Sequence, residues 1–403
     1  MVDDAVQVPA DGAGAAGDKV LAAVRDLLPG IRERIGAAEA ARQVPAESVA
    51  QLRDAGVLRL LQPRRFGGLE AHPVTFYEAI ALIASACGST GWVSSVLGVH
   101  PWHLGLFAEQ AQTDVWNDDR DVVISSSYAP VGQATPVAGG FRFSGRWSFS
   151  SGSDHGRWIL LGGLVLGEDG RPVDYRTFLL PRADYEILDV WDTVGLRATG
   201  SNDILVEDAF VPEHRTLSMQ HTARCVGPGQ EINDGPLYRM PYGTIHPYAI
   251  TAPLIGMARG GYDAFVGYTR ERVRASYVGE KAAQDQFAQV RVAEAAGDID
   301  ATWLQLVRNV GQEYDRAAAG EKIPLAMRLR ARRDQVMGSA RVIAAVDKLF
   351  ESAGGKAINM SAPISRYWRD AHAARAHAAN DLERTLVLFG KHEFGVEVRD
   401  GLF

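Results

Sequence analysis

The sequence predicts a fold in three parts: an N-terminal all-α domain, a central antiparallel β-barrel domain and a C-terminal four-helix bundle. Apolar residues recur at helical spacing before residue 120, and aromatic residues alternate with polar ones between residues 121 and 215. Spacings of three and four residues return after His246. A period near 3.6 indicates amphipathic helices, whereas a period of two indicates strands with two different faces. The two changes of period therefore divide the chain.

The domain boundaries follow from these changes. Residues 1–16 are predicted to be a disordered tail because they lack a periodic apolar pattern, and residues 17–120 form the helical domain. The β-domain is placed at residues 121–235 and the bundle at residues 236–403. Because 403 residues are too many for one simple core, several packed parts are expected.

The helical parts are supported by apolar residues three and four positions apart. Val20, Val24 and Ile31 define the first helix, and residues 73–107 form a long apolar helical region. In the C-terminal part the same spacing relates Phe287, Val290, Ile299, Trp303, Leu306 and Val310, and later Val336, Ile343, Val346 and Phe350. Apolar residues on more than one helix face predict subunit contacts as well as an internal core.

The β-domain is supported by alternating strands with turn residues between them. Residues 122–128 form the first strand, and Gly139-Gly140 precedes a second strand that contains Phe141, Phe143 and Trp147. Further strands are predicted at residues 158–165, 177–180 and 201–211. Aromatic residues alternating with polar ones are typical of a strand that buries one face.

Composition argues against several classes of function. The net charge of −7 disfavours nucleic acid or an anionic membrane as the main partner. No stretch reaches the roughly 18 apolar residues of a membrane span, and the first residues lack the basic and apolar regions of a signal peptide. Cys87 and Cys225 form neither a disulfide framework nor a metal site. We therefore expect a cytoplasmic protein without a bound metal.

Several segments resemble signatures of the acyl-CoA dehydrogenase superfamily. They are Asp192–Ser201, Val206–Pro212, Arg272–Tyr277 and Arg369–Ala371. The resemblance implies an acyl-CoA dehydrogenase-like fold with the three parts described above. One position departs from the family, because Ala378 stands where the dehydrogenases commonly carry the Glu that removes the α-proton of an acyl thioester. A methyl group cannot accept a proton, so a different reaction is expected.

A second resemblance covers nearly the whole chain. Segments similar to the oxygenase components of two-component (group D) flavin-dependent aromatic monooxygenases are Cys87–Trp92, Ser125–Pro130, Trp147–Gly152 and Trp368–Asn380. Within that group the chain most resembles bacterial secosteroid phenol hydroxylases and natural-product hydroxylases of indoles and polycyclic phenols, including a xiamycin-type indole oxygenase. The resemblance implies hydroxylation of a bulky phenol or indole.

The same resemblance implies the cofactor and the partners. Reduced FAD or FMN is expected as a diffusible cofactor, with O2 as cosubstrate and a flavin C4a-hydroperoxide as the oxygen donor. No nicotinamide-binding unit is visible in the sequence, so a separate NAD(P)H:flavin reductase is implied as the supplier of reduced flavin. A homotetramer or homodimer is expected.

The resemblance also assigns roles to single residues. Ser151 is expected to donate a hydrogen bond near flavin N5, and His377, on an alanine-rich helix, to be the base that takes a proton from the phenol or indole. His100 and Trp147 are expected to contact the substrate. The implied flavin-binding residues are Trp92, Ser126, Ser127, Tyr128, Phe149, Ser150, Ser151, Arg272, Arg274, Gly355, Lys356, His377 and Ala378. The two arginines suit a phosphate because guanidinium can bind it in a bidentate manner.

Two other interpretations remain open at this point. The same fold could carry a flavin-dependent acyl-CoA dehydrogenase-like oxidoreductase or an N-oxygenase, and stable flavin binding without incorporation of O2 would favour the dehydrogenase. The chain could also be a non-catalytic helical scaffold, which failure to bind any flavin would favour. The serine and histidine at positions 151 and 377 argue against the scaffold.

Overall fold

The computed structural model describes residues 14–274 and 279–398. The first part of the chain is helical, with α1 (Gly14–Glu33), α2 (Ile35–Ala41), α3 (Ala46–Asp54), α4 (Pro73–Ala86), α5 (Gly88–Leu104) and α6 (Glu109–Trp116). Helix α1 begins inside the segment predicted as a tail, because Gly17 and Val20 are buried and hold its first turns. A Cβ atom at Gly17 would lie 2.8 Å from the Thr75 side chain of α4. Residues 1–13 of the predicted tail lie outside the described residues.

Helix α5 forms the interior of this part. Each of its residues except Val96 is buried, which explains why the sequence shows no polar face here. The helix carries Trp92, His100 and His103. Spacings of eight and eleven residues place these three side chains on the same side of the helix.

The middle of the chain forms one seven-stranded sheet. Its strands are β1 (Ile124–Val137), β2 (Gly140–Ser150), β3 (Trp158–Leu166), β4 (Pro172–Pro181), β5 (Glu186–Leu188), β6 (Asn202–Pro212) and β7 (Thr216–Ser218). The strand order is β5-β6-β2-β1-β3-β4-β7, and all neighbouring pairs are antiparallel except β1 and β3. The antiparallel-dominated β-domain is thus confirmed. Its hydrogen bonds leave the three-residue strands β5 and β7 as edges, so they do not close the predicted barrel.

The β-domain has its own aromatic core. Phe143 and Phe178 stack with 4.2 Å between ring centroids, and Trp147 packs against Phe143 at 5.2 Å. The Trp147 indole N–H donates to the Gly162 carbonyl oxygen at 2.8 Å. Trp147 is fully buried in this core, a position that gives its ring a structural role rather than the predicted contact with substrate.

The last part of the chain is the predicted helical bundle. A short helix, α7 (Met219–Ala223), follows β7 and packs mainly on the sheet. The bundle region contains α8 (Tyr242–Glu271), α9 (Gln286–Ala318), α10 (Leu325–Ser352), α11 (Pro363–Arg375) and α12 (Leu382–Glu393), with a short hairpin of β8 (Val273–Arg274) and β9 (Glu280–Lys281). Helices α8, α9, α10 and α11 pack as the bundle, and α12 packs against α10. Helix α8 begins four residues before the predicted start at His246, since Pro241 ends the preceding extended segment.

The N-terminal helices and the bundle share one hydrophobic core. Helix α4 packs so closely on α8 that a Cβ atom at Gly256 would overlap the carbonyl group of Ala81. This junction brings the start of α8, the middle of α5 and the end of α11 next to the β-domain. In the parts of the chain that the structure describes, no helix is long and apolar enough to cross a membrane.

Candidate active site

The two dehydrogenase-like segments at residues 192–201 and 369–371 bind each other. The Asp370 carboxylate accepts the Leu196 backbone N–H at 2.6 Å, and the Arg369 guanidinium donates to the Val194 carbonyl oxygen at 3.0 Å. A Cβ atom at Gly195 would overlap the Arg369 carbonyl group, so only glycine allows this close approach. Burial raises the pKa of Asp370 to about 6. The motif of α11 therefore fixes the loop that leads into β6.

A chain of three hydroxyl groups begins in that loop; we call Thr199, Ser201 and Ser151 the hydroxyl chain. Thr199 Oγ1 lies 2.7 Å from Ser201 Oγ, which lies 2.7 Å from Ser151 Oγ. The far end of the chain is tied down, because Thr199 Oγ1 donates to the Leu196 carbonyl oxygen at 2.9 Å. Ser151 follows directly after β2, so the sheet and the loop together position its hydroxyl group.

Trp92 joins this chain to His377. Its indole N–H donates to Ser151 Oγ at 3.1 Å. Its ring meets the His377 imidazole edge to face, with 5.7 Å between the centroids. Three of the predicted site residues, from α5, the β-domain and the end of the bundle, are thereby brought together.

The local structure at His377 differs from the prediction. Helix α11 ends at Arg375, and His377 has an extended backbone that caps a short turn at Ala378–Asn380. Its Nδ1 accepts the Ala379 backbone N–H at 3.1 Å. An accepting nitrogen carries no proton, so the neutral ring holds its proton on Nε2. Burial, and then the positive charge of Arg332, lower the pKa of His377 to about 4, which makes this imidazole a weak base.

The turn after His377 is held from α10. The Arg332 guanidinium donates to the Ala379 carbonyl oxygen at 3.3 Å, and Gln335 donates to the Asn380 side chain at 3.1 Å. The Gln335 amide also donates to Thr251 of α8 at 2.7 Å. A buried polar network of this kind fixes the position of the imidazole.

His100 lies in a neutral, hydrogen-bonded state opposite this turn. Its Nδ1–H donates to the Ile124 carbonyl oxygen at 2.6 Å, since a carbonyl can only accept. Its Nε2 therefore accepts the Ser126 hydroxyl at 2.8 Å. Burial lowers the pKa of His100 to about 4. Ser126 thus contacts a predicted substrate residue.

Two more histidines that the sequence analysis did not select face the same region. His103 Nδ1 lies 2.8 Å from the Tyr128 hydroxyl, and burial lowers its pKa to about 3. His246 stacks on Tyr242 at 4.9 Å and meets Tyr128 edge-on at 5.1 Å. Burial lowers the pKa of His246, and the other histidines of this region lower it further. We call His100, His103, His246 and His377 the histidine cluster.

The histidine cluster has unused hydrogen-bonding capacity. Among the residues that the structure describes, no side chain or backbone group bonds either ring nitrogen of His246, and the buried Nε2 of His103 has no partner. A buried polar group without a partner destabilises a protein by about 1–3 kcal/mol. These nitrogens are therefore available to a ligand or to water.

The remaining predicted flavin residues of the sheet differ in their surroundings. Ser127 Oγ donates to the Ser148 carbonyl oxygen at 2.9 Å within the sheet, whereas Ser150 Oγ is buried without a partner among the described residues. Phe149 is 73% exposed, with a left-handed φ of 67° and its ring 6.3 Å from Trp191. An exposed aromatic held in a strained backbone next to Ser151 fits a planar ring ligand.

The predicted phosphate residues form a separate group. The Arg272 guanidinium donates to the Ala353 carbonyl oxygen at 2.6 Å, and a Cβ atom at Gly354 would lie 2.5 Å from it. Arg272 and the turn at Gly355-Lys356, both among the implied flavin-binding residues, are therefore neighbours. The Arg274 side chain lies outside the described residues.

The chain is similar to known proteins over most of its length. The profile of the family "Acyl-CoA dehydrogenase, C-terminal domain" matches residues 248–382. The chain is 56% identical to the flavin-dependent monooxygenase oxygenase subunit HsaA of Rhodococcus jostii over 374 residues, which cover 93% of this chain and 98% of that protein.

Two solved structures extend this result. The 3-HSA hydroxylase from Rhodococcus sp. RHA1 has a TM-score of 0.92 at 54% identity and covers 96% of this chain and 99% of its own. XiaF from Streptomyces sp., solved with FADH2 and glycerol, has a TM-score of 0.91 at 25% identity and covers 96% and 98%. The chain belongs to the family of oxygenase subunits of flavin-dependent monooxygenases.

Proposed function

We propose that this oxygenase subunit uses diffusible reduced flavin and O2 to hydroxylate a bulky, uncharged aromatic substrate, a phenol or an indole. The observation that supports this most strongly is the contact of Trp92 with both Ser151 and His377, since it places the candidate flavin contact beside the candidate substrate contact. The similarity to a monooxygenase subunit over 93% of the chain supports the reaction class.

Ser151 and Phe149 are the residues that would hold the flavin ring. A bound reduced flavin supplies the chemistry that activates O2. The chain contributes a hydroxyl group at Ser151, an exposed aromatic face at Phe149 and buried surroundings that exclude water. Arg272 with Gly355-Lys356 provides a cationic turn for a flavin phosphate. Among the described residues Arg272 contacts Ala353 and Tyr268, whereas Ser151 contacts Trp92 and Ser201. Because these two sets of contacts are separate, we propose that the turn serves the flavin of a neighbouring subunit in a homodimer or homotetramer.

In this proposal His377 contacts the oxygen atom of a substrate hydroxyl group, which can accept a hydrogen bond. Because Nδ1 is occupied by the Ala379 N–H, the available atom is the Nε2–H group, which donates a hydrogen bond. A donor at the phenol oxygen stabilises the phenolate form of the substrate, which is the form with the more nucleophilic ring, and it orients that ring. A role as proton acceptor would require Nδ1 to release Ala379, and the pKa of about 4 opposes it.

The histidine cluster determines the class of substrate. Burial lowers the pKa of all four histidines and keeps them neutral. The cluster therefore offers hydrogen bonds without a formal charge. Together with Tyr128 and Tyr242 it forms a largely aromatic wall. Such a wall suits a fused-ring molecule with hydroxyl or carbonyl groups better than a charged acyl thioester.

The partner implied by this function is a separate NAD(P)H:flavin reductase in the cytoplasm. Oxygenation can be tested with purified chain, an unrelated flavin reductase, and 18O2. The proposal predicts one 18O atom per hydroxylated product from a panel of bulky phenols and indoles. Reduction of an artificial electron acceptor, with no 18O in any product, would favour the dehydrogenase interpretation instead.

A further inference from the structure

The hydroxyl chain has a direction that the hydrogen-bond partners determine. The Leu196 carbonyl oxygen can only accept, so the proton of Thr199 Oγ1 points to it across 2.9 Å. Ser201 then donates its single proton to Thr199, and Ser151 donates its single proton to Ser201, each across 2.7 Å. The indole N–H of Trp92 can only donate, and it points to Ser151. In this state Ser151 has no proton left for a ligand but keeps one accepting lone pair.

The end of the chain is fixed independently of any ligand. Leu196 receives hydrogen bonds at its carbonyl oxygen from Thr199 and from the Trp191 indole N–H at 3.0 Å. Its backbone N–H is bound by Asp370 at 2.6 Å. Thr199 and Ser201 are 1% and 3% exposed, so water does not substitute easily for a missing partner. Reversing the direction of the hydrogen bonds in the hydroxyl chain would break the bond from Thr199 Oγ1 to the Leu196 carbonyl oxygen.

The two redox states of flavin differ in whether N5 carries a proton. Oxidised flavin has a bare N5, which accepts a hydrogen bond, whereas reduced flavin carries a proton on N5, which can be donated. A reduced flavin next to Ser151 can donate to its free lone pair while the whole hydroxyl chain stays intact. An oxidised flavin requires Ser151 to turn its proton outward, which reverses the chain.

We infer that Ser201 and Thr199 are positioning residues that orient the Ser151 hydroxyl and so favour binding of reduced over oxidised flavin. The inference rests on the proposed function, because it takes Ser151 as the neighbour of N5. The size of the preference for reduced flavin follows from one hydrogen bond. The net value of such a bond, about 0.5–1.5 kcal/mol, corresponds to roughly a threefold to tenfold preference.

Thr199→Val tests this with little change of shape, because it replaces the hydroxyl by a methyl group. The Ser201 hydroxyl then has no acceptor at residue 199. It can donate to Ser151 instead, and the Ser151 proton can point outward to a ligand without the loss of a hydrogen bond. The ratio of the Kd for oxidised FAD or FMN to the Kd for the reduced form should fall by about threefold to tenfold. Equivalently, the midpoint potential of the bound flavin should fall by up to about 30 mV, since 30 mV corresponds to a tenfold ratio for two electrons.

The matched control is Thr199→Ser, which keeps the hydroxyl group and should keep the wild-type ratio. Ser201→Ala frees the Ser151 proton by another route and should lower the ratio as Thr199→Val does. An unchanged ratio in both Thr199→Val and Ser201→Ala, or equal effects of the valine and serine variants, would overturn the inference alone. If the wild-type chain bound neither form of FAD or FMN, the proposed function would fail together with it.

Discussion

The hydroxyl chain and the histidine cluster differ in whether their polar groups find hydrogen-bond partners within the protein. In the hydroxyl chain each proton has a protein acceptor, from Ser151 through Ser201 and Thr199 to the Leu196 carbonyl. In the histidine cluster His103 keeps an unpaired ring nitrogen, and His246 has two without partners among the described residues. The hydroxyl chain is complete within the protein, whereas the histidine cluster is completed by what binds there.

Under the proposed function, the two regions serve two different ligands. A cofactor that is always the same can be met by a fixed arrangement of hydrogen bonds. A substrate contributes its own polar groups, and the protein supplies unpaired, uncharged partners for them. Trp92 lies at the boundary, because its N–H group belongs to the hydroxyl chain and its ring touches His377.

The largest effect is expected for His377. His377→Ala should lower the rate of hydroxylation about 10- to 100-fold, because a hydrogen bond to a charged group such as a phenolate oxygen contributes about 1.5–3 kcal/mol. His377→Asn keeps an N–H donor but cannot accept a proton, so steady-state product formation should recover in part. If the asparagine variant were as inactive as the alanine variant, with losses of about 10²–10⁴, a base would explain the site better.

The support of the hydroxyl chain can be broken at Gly195. Gly195→Ala would place a Cβ atom against the Arg369 carbonyl group, and overpacking of this kind lowers the free energy of unfolding by about 1–3 kcal/mol. Gly36→Ala in α2 is the matched control, since no atom lies within 4 Å of its added methyl group. Urea unfolding should show a loss for Gly195→Ala only; equal stabilities would argue against the tight contact between the loop and α11.

The neutrality of the histidine cluster predicts destabilisation in mild acid. Burial lowers the pKa of His103 to about 3, against about 6.5 in an unfolded chain. Between these values the unfolded state binds the extra proton, so the folded state loses stability as the pH falls. From pH 7 to pH 5 the loss is about 2 kcal/mol for one such histidine.

His103→Leu should remove this part of the pH dependence. Chemical unfolding at pH 7 and pH 5 should give a difference about 2 kcal/mol smaller in the variant than in the wild type. Between pH 8 and pH 9 both states are almost fully deprotonated at this residue, so the two proteins should differ by a constant amount. A variant with the full wild-type loss at pH 5 would show that His103 is not held neutral.

A smaller effect is expected at Arg332, which holds the turn behind His377. Arg332→Met keeps much of the side-chain volume but removes the bond to the Ala379 carbonyl. Loss of one such bond corresponds to roughly a tenfold decrease in hydroxylation rate at most. Arg332→Lys keeps the charge and should retain more activity. Unchanged rates in the methionine variant would show that the turn holds its position without α10.

The sequence predicted the three-part fold because the change between periods of 3.6 and two is strong, and it identified Ser151, Trp92 and His377 through motifs. It could not predict the open edges of the sheet, since edges depend on which strands find partners. His246 lies near the start of the apolar helix α8, and nothing in the local sequence shows that it faces His100. His103 lies three residues after His100, and this helical spacing could have identified it.

Trp147 illustrates the opposite error. Alternation along β2 shows that its face is buried, but not whether the buried side is the β-domain core or the pocket. The tautomer of His377 depends on the end of α11 and on the turn at Ala378–Asn380, and an alanine-rich segment gave no sign of that end. These properties depend on tertiary contacts between distant segments.

The most direct test of the division between the two regions is rapid mixing of anaerobic reduced-flavin complexes with O2, with and without a phenolic substrate. We expect Ser151→Ala to shorten the lifetime of the transient flavin absorbance and to increase H2O2, even without substrate. We expect His377→Ala to leave this lifetime unchanged without substrate and to lower only the yield of hydroxylated product. Equal changes of lifetime in both variants would contradict the separation of cofactor and substrate roles.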